Sequence, residues 1–227
     1  MKRFSIILFA VSILILAGCA FQPSTLQSNY PKMYQTPPVS ILILPPINRS
    51  TAVEAKEYFA CSLAEAVGRK GYYTFPVEAV FGVLRDEGLY DTETYTPAVI
   101  ANLKKYFGAD AVLITEINRW DKAWWGTHGS LTIDADYALL GTAKADTLWN
   151  IRARTKVRLE SQSDNLLGKM IESAIKTAFE DYFPNNHKAN LETMNQTLPF
   201  GKHHPKFATD AEKSVPPFKE IFIEINK

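Results

Sequence analysis

The stretch "GADAVLITEI", Gly108 to Ile117, is the clearest strand of the chain. Its run from Ala111 to Ile117 is apolar almost without interruption, which is the pattern of a strand buried inside a sheet. Upstream, Pro97 to Phe107 follows "DTETYT" and sets Ile100, Leu103 and Phe107 at helical spacing. Before it, Val77 to Glu87 reads as a helix with Val80, Val83 and Leu84 inward and Pro76 at its start. "YYTFP" is a short strand, and Gly71 closes the helix that precedes it. That helix opens on a capping box at Thr51 and Glu54, runs to about Lys70, and repeats Phe59, Leu63 and Val67 every four residues. Ser40 to Leu44, "SILIL", is a first strand stopped by Pro45-Pro46. Crossovers of these lengths suit a parallel or mixed sheet with helices packed against it.

Downstream the period changes to two. In "SLTIDADYALL", Leu131, Ile133, Ala135, Tyr137 and Leu139 alternate with more polar residues, and in "LWNIRARTKVRL" Trp149, Ile151, Ala153, Thr155 and Val157 do the same. The two runs flank "GTAKADT" and read as a long antiparallel hairpin with one packed and one wet face. "NLLGKMIESAIKTAFEDYF", ending at Phe183, is an amphipathic helix that either covers the sheet or presents its apolar face to a partner. The expected fold class is therefore α/β, a mixed sheet in the order β-α-β-α-α-β-β-β-α. Residues 184–227 are expected to be irregular, except that "FKEIFIEI" alternates and suits an edge strand or a strand pairing across copies in a homo-oligomer.

With 227 residues, 46% hydrophobic and 22% charged, the chain has room for one principal domain and a real core. A formal net charge of +1 with no single-sign block gives no basis for nucleic-acid binding. The amino terminus is distinctive. Lys2 and Arg3 precede an apolar run from Phe4 to Leu16, too short for a spanning helix of roughly 20 residues and right for a signal peptide. Leu16-Ala17-Gly18-Cys19 resembles the lipobox of bacterial lipoprotein precursors. The resemblance implies removal of residues 1–18, a thioether-linked diacylglycerol on the Cys19 sulfur and an acyl chain on its new amine. More than one such chain anchors a protein stably. The same resemblance implies, from Ala20 where an aspartate would favour the inner membrane, an anchor in the outer membrane on its periplasmic face. Residues 19–38 are expected to form the lipidated cysteine and a flexible, proline-bearing tether, and residues 39–183 the α/β domain. Cys61 is then left without a partner and is expected to be a buried small apolar residue.

At "SILILPPINRS", "GYYTFPV" and "FGADAVLITEI" the chain resembles a family of bacterial lipoproteins whose familiar member is a neisserial surface-antigen candidate. The likeness runs from the lipobox to about Phe183, and more loosely into "LPFGKHHPKF". It implies a small domain similar to the amino-terminal domain of the periplasmic translocation protein TolB. It also implies genes travelling with curli-secretion-type lipoproteins, and hence envelope proteins as partners in assembly or transport. No catalytic residues come with it.

The residues themselves offer little chemistry. The loop Pro45 to Ser50 lacks the glycines of a phosphate cradle, so Asn48, Arg49 and Ser50 read as turn and cap residues. His128, His187, His203 and His204 have no partner at metal-ligand spacing, so neither metal nor cofactor is expected. Asp134 and Asp136 share the wet face of the hairpin, where paired carboxylates stay ionised. "RWDKAWWGTHG" is the unusual segment: Trp120, Trp124 and Trp125 either pack as core or form an exposed aromatic patch, the candidate site for a partner. The expectation is a non-enzymatic, lipid-anchored envelope module acting by protein contact. Its rival is a periplasmic small-ligand or glycan binder.

Overall fold

The computed structural model describes residues 24–53, 55–125, 128–160 and 183–226. Two short helices, α1 (Leu26–Asn29) and α2 (Lys32–Gln35), lead into β1 (Ser40–Ile43) and β2 (Ile47–Asn48). Next come α3 (Ala55–Gly68), β3 (Tyr73–Thr74), α4 (Val77–Asp86) and α5 (Pro97–Phe107). Three long strands follow, β4 (Ala111–Trp125), β5 (His128–Gly141) and β6 (Thr147–Glu160), and then α6 (Phe183–Thr197) and β7 (Glu220–Asn226).

The strands form one mixed α/β sheet of seven strands, in the order β3-β1-β4-β5-β6-β7, with β2 also pairing to β4. β1 lies parallel to β3 and β4, β4 to β6 run antiparallel, and β7 is parallel to β6. Local chemistry accounts for the element ends. Thr96 caps α5 by accepting the Val99 N–H, Pro97 fills its first turn, and Gly108 closes it at a left-handed φ of 71°. β4 runs on past Ile117, where the strand was expected to stop. A bulge between Ile117 and Arg119 absorbs one residue, and pairing with β5 resumes as far as Trp125 opposite His128.

The core lies between one sheet face and helices α3 and α6. Phe59, Leu63 and Val67 of α3 are buried, as are Leu131, Ile133, Ala135, Tyr137 and Leu139 of β5 and Trp149, Ile151, Ala153 and Val157 of β6. Phe59 stacks on Tyr137 at 5.9 Å between centroids and meets Trp120 edge-on at 6.3 Å. β1 is closed on both sides, Ile41, Leu42 and Ile43 all being buried.

Four expectations are corrected. From Ser24 onward the segment read as a flexible tether is folded: Leu26, Tyr30 and Met33 are buried, and the Tyr30 hydroxyl donates to the Asn150 carbonyl (2.6 Å). The start of the segment expected to be irregular is helical instead, since α6 runs to Thr197 and packs on the core, while the strand suggested by "FKEIFIEI" forms as β7, paired with β6 from Arg152 to Arg158. Val83 is 44% exposed rather than inward, because α4 buries Val77, Val80, Phe81 and Leu84 instead. Cys61 is exposed, on the side of α3 away from Phe59 and Leu63. The apolar helix expected from Asn165 to Phe183 lies outside the described residues apart from Phe183 itself, where α6 begins.

Candidate functional site: the charged face of the sheet

Alternation on β5 and β6 sends every second side chain away from the core. On this face Asp134 is almost wholly buried, because two arginines close over it. Arg152 donates to both its oxygens (3.0 and 3.1 Å), and Arg154 donates twice to Oδ2 (3.1 and 2.8 Å). Burial alone pushes the Asp134 carboxyl up. The hydrogen bonds and charges of Arg152 and Arg154 more than reverse this and hold it below the usual carboxylate range. The aspartate is therefore an ionised post that fixes two guanidinium groups whose outer parts remain open to solvent. The expectation of two solvated acids fails for Asp134, and the reason is this arginine pair. Asp136, its neighbour on the face, accepts from the Asn118 amide (2.6 Å).

β7 extends the same face. Phe222, opposite Arg154, is 66% exposed, and the Arg154 guanidinium lies 5.4 Å from its ring centre. Nearer the start of β7 is a cavity of about 500 Å³, lined by Glu116, Asp136, Arg152, Phe218 and Glu220. Glu116 is held by Arg49 (3.0 Å). Lys219 at the rim donates to the Asn150 side chain (3.0 Å) and lies over the Tyr30 ring. Acids and bases thus stand side by side on rigid strands, an arrangement suited to matching a complementary surface.

The tryptophan segment divides. Trp120 is 4% exposed and packs on Phe59, so it is a core residue and offers no ring to a partner. Trp124 and Trp125 extend β4 opposite Gly129 and His128, and their side chains lie outside the described residues. Cys19 also lies outside them. The Cys61 thiol is pushed up by burial and by Glu78 and Glu57, away from the reactive thiolate. His204 stacks on Phe200 at 4.3 Å and accepts the Lys206 N–H, which makes it part of the packed carboxy-terminal segment. Among the described residues no group of three His, Cys, Asp or Glu is placed to hold a metal, and no helix is long and apolar enough to cross a membrane.

A family model described as "Putative lipoprotein GNA1162-like" matches residues 28–205. The chain belongs to this GNA1162-like family. The curated Neisseria meningitidis serogroup B putative lipoprotein NMB1124/NMB1162 is 25% identical over 170 residues, covering 75% of this chain and 79% of that one. The solved structure of lipoprotein GNA1162 from N. meningitidis is 26% identical with a TM-score of 0.48, over 63% of this chain and 99% of that one. The hypothetical protein CT253 from Chlamydia trachomatis is 13% identical with a TM-score of 0.40, over 67% and 98%. The GNA1162-like match takes in β1 to β6 and α6 and ends before β7, so Phe218 and Phe222 lie beyond it.

Sequence reasoning missed Arg152, Arg154 and Phe222. A signal was present: Arg152, Arg154, Lys156 and Arg158 alternate along β6 opposite Asp134 and Asp136 of β5. Cross-strand pairing turns that pattern into an ion cluster.

Proposed function

We propose that this chain is a lipid-anchored protein of the bacterial envelope that works by protein contact and not by catalysis. The observation that supports the contact reading is the face from β4 to β7, where buried Asp134 fixes two arginines beside exposed Phe222. Side chains held by paired strands lose little freedom on binding, which favours recognition by a preformed surface. Lipoprotein membership of the family and the Leu16-Ala17-Gly18-Cys19 motif support Cys19 as the anchor, with Ala20 directing it to the periplasmic face of the outer membrane. The partners are envelope proteins, among them lipoproteins of the curli-secretion kind. A second copy of this chain is a further partner, pairing along β7, the last strand of the sheet.

Crosslinking in intact envelopes followed by affinity capture tests this. Phe222→Asp should lower recovery of the co-purifying protein about tenfold, the equivalent of ~1.4 kcal/mol, while Tyr106→Asp on α5 leaves it unchanged. Equal recovery from all three chains would remove the contact reading. Radiolabelled fatty acid should join the parent and not a Cys19→Ser chain. The cavity beside Glu116, Asp136 and Glu220 supports a second reading, a periplasmic small-ligand or glycan binder. A thermal shift with a soluble glycan that disappears in Glu220→Gln would favour it.

A further inference from the structure

The first described residues are fastened to the carboxy-terminal segment. The Ser24 carbonyl accepts the Val215 N–H (2.8 Å), Leu26 N–H donates to the Lys213 carbonyl (2.8 Å), and Gln27 N–H donates to the Ala211 carbonyl (3.0 Å). Thr25 and Ser214 form an antiparallel bridge between them. Only five steps of chain separate Cys19 from Ser24. At a maximum of ~3.6 Å per residue they reach about 18 Å, against about 70 Å for a tether ending at Pro38.

Three residues past Val215 the backbone turns through two successive left-handed conformations, Phe218 at φ 56° and Lys219 at φ 54°. Neither is glycine, so the turn is strained. Its outcome is a phenyl ring that is 100% exposed at the edge of the cavity it helps to line. The segment 202–219 also carries Lys202, Lys206, Lys213 and Lys219 against Asp210 and Glu212, a balance that favours an anionic surface.

We infer that this end of the body, from the Ser24–Val215 pairing to Phe218, rests on the lipid bilayer, with Phe218 entering the headgroup layer. The inference rests on the lipid anchor at Cys19. The anchor fixes how far the body can stand from the membrane, and the pairing at Ser24 fixes which end is lowest. Phe218 lies within about 11 Å of Val215 along the chain, inside the zone the short leash brings to the surface. A phenyl ring beside lysines suits that boundary, where apolar bodies and basic groups are both accommodated.

The test uses the full lipidated chain on a Cys61→Ser background, reconstituted into vesicles of phosphatidylethanolamine and phosphatidylglycerol with brominated acyl chains. A fluorophore is placed at Ser214→Cys, or at Val53→Cys. Val53 is exposed and shares a surface depression with Trp120, about 20 Å further along β4 than the Ile114 level of Phe218. Quenching should be several-fold stronger at 214 than at 53 and should fall several-fold when Phe218→Ser is added. Equal quenching at both sites on vesicle-bound protein overturns the docking and leaves the anchor standing. An unchanged signal at 214 after Phe218→Ser overturns the part assigned to the phenyl ring. Failure of the parent to float with vesicles, matched by Cys19→Ser, removes the anchor and the inference with it.

Discussion

On β5 and β6, Leu131, Ile133, Tyr137, Trp149 and Ile151 close against α3 and α6, while Asp134, Asp136, Arg152 and Arg154 of the same strands form the charged face opposite. The covered face is a packed core in which the large polar-tipped rings find partners: the Tyr137 hydroxyl donates to Asn190 Oδ1 (2.8 Å), and the Trp149 indole donates to the Thr197 carbonyl (3.0 Å). The open face holds the buried charge of Asp134, and the two arginines over it stay half exposed. Strand pairing is common to both, so the difference isolates what side-chain burial adds. Stability should be concentrated on one face and recognition on the other.

The largest expected effect is on the covered face. Trp149→Ala removes a fully buried ring and should cost about 3–5 kcal/mol, read as a lower denaturant midpoint. A change within experimental error would mean that the core does not depend on this face.

Lys70 tests a third environment. It is 3% exposed, with its ammonium 3.8 Å from the Phe200 ring centre. Burial lowers its pKa from 10.5 to about 8, with Asp210 opposing the shift. Between those values the unfolded chain holds a proton that the folded chain has lost, so stability should rise with pH across the window, by at most roughly 3 kcal/mol. Below pH 8 both states are protonated and the penalty for burying the charge is present in full. Denaturation of Lys70→Met should lack this rise. Parallel profiles for the two chains would show that the ammonium is solvated.

On the open face the effects shrink. Asp134→Ala leaves two half-exposed arginines without their acceptor and should cost about 1–2 kcal/mol at neutral pH. The Asp134 carboxyl titrates lower when folded, so its contribution is complete above the ordinary value of about 3.9 and is lost as pH falls through the folded one. The parent should therefore show a steeper acid limb than the variant. Phe222→Ser is the smallest, within about 0.5 kcal/mol in stability, and it should be visible only in partner capture. A large loss of stability there would erase the distinction between the faces.

Periodicity made most of the covered face legible in advance. The columns of α3 and the alternation of β5 and β6 are apolar at regular intervals, and all the residues expected inward on those three elements are buried. The element α6 was illegible for a physical reason. Its inward residues include Ala189, Asn190, Thr193, Met194 and Thr197, most of them polar or small. The Thr193 and Thr197 hydroxyls donate to carbonyls one turn back, and the Asn190 amide donates to Ser62 Oγ (2.6 Å) and the Phe59 carbonyl (3.3 Å). A hydrophobicity pattern cannot register a face whose polar side chains are buried because carbonyls of the same helix and groups on α3 answer them. α1 and α2 are single turns interrupted by Pro31, too short to display a period. The charged face was half legible: its alternation was plain, but the burial of Asp134 follows from the register of β5 on β6, which no single strand discloses.

Gly71 and Gly201 show how late the molecule closes. A methyl group on Gly71 would come within 2.5 Å of the His204 Cβ, and one on Gly201 within 2.8 Å of the Gly71 carbonyl oxygen. Two backbones separated by most of the chain therefore touch, and the Gly201 N–H donates to the Lys70 carbonyl (2.7 Å) to seal the crossing. Contacts of such sequence separation form after local ones, because loop closure must come first. In a chain made amino terminus first, this seam cannot zip until residues 201–204 have emerged, so a ribosomal stall before that point would leave an aggregation-prone intermediate rather than a shorter native protein.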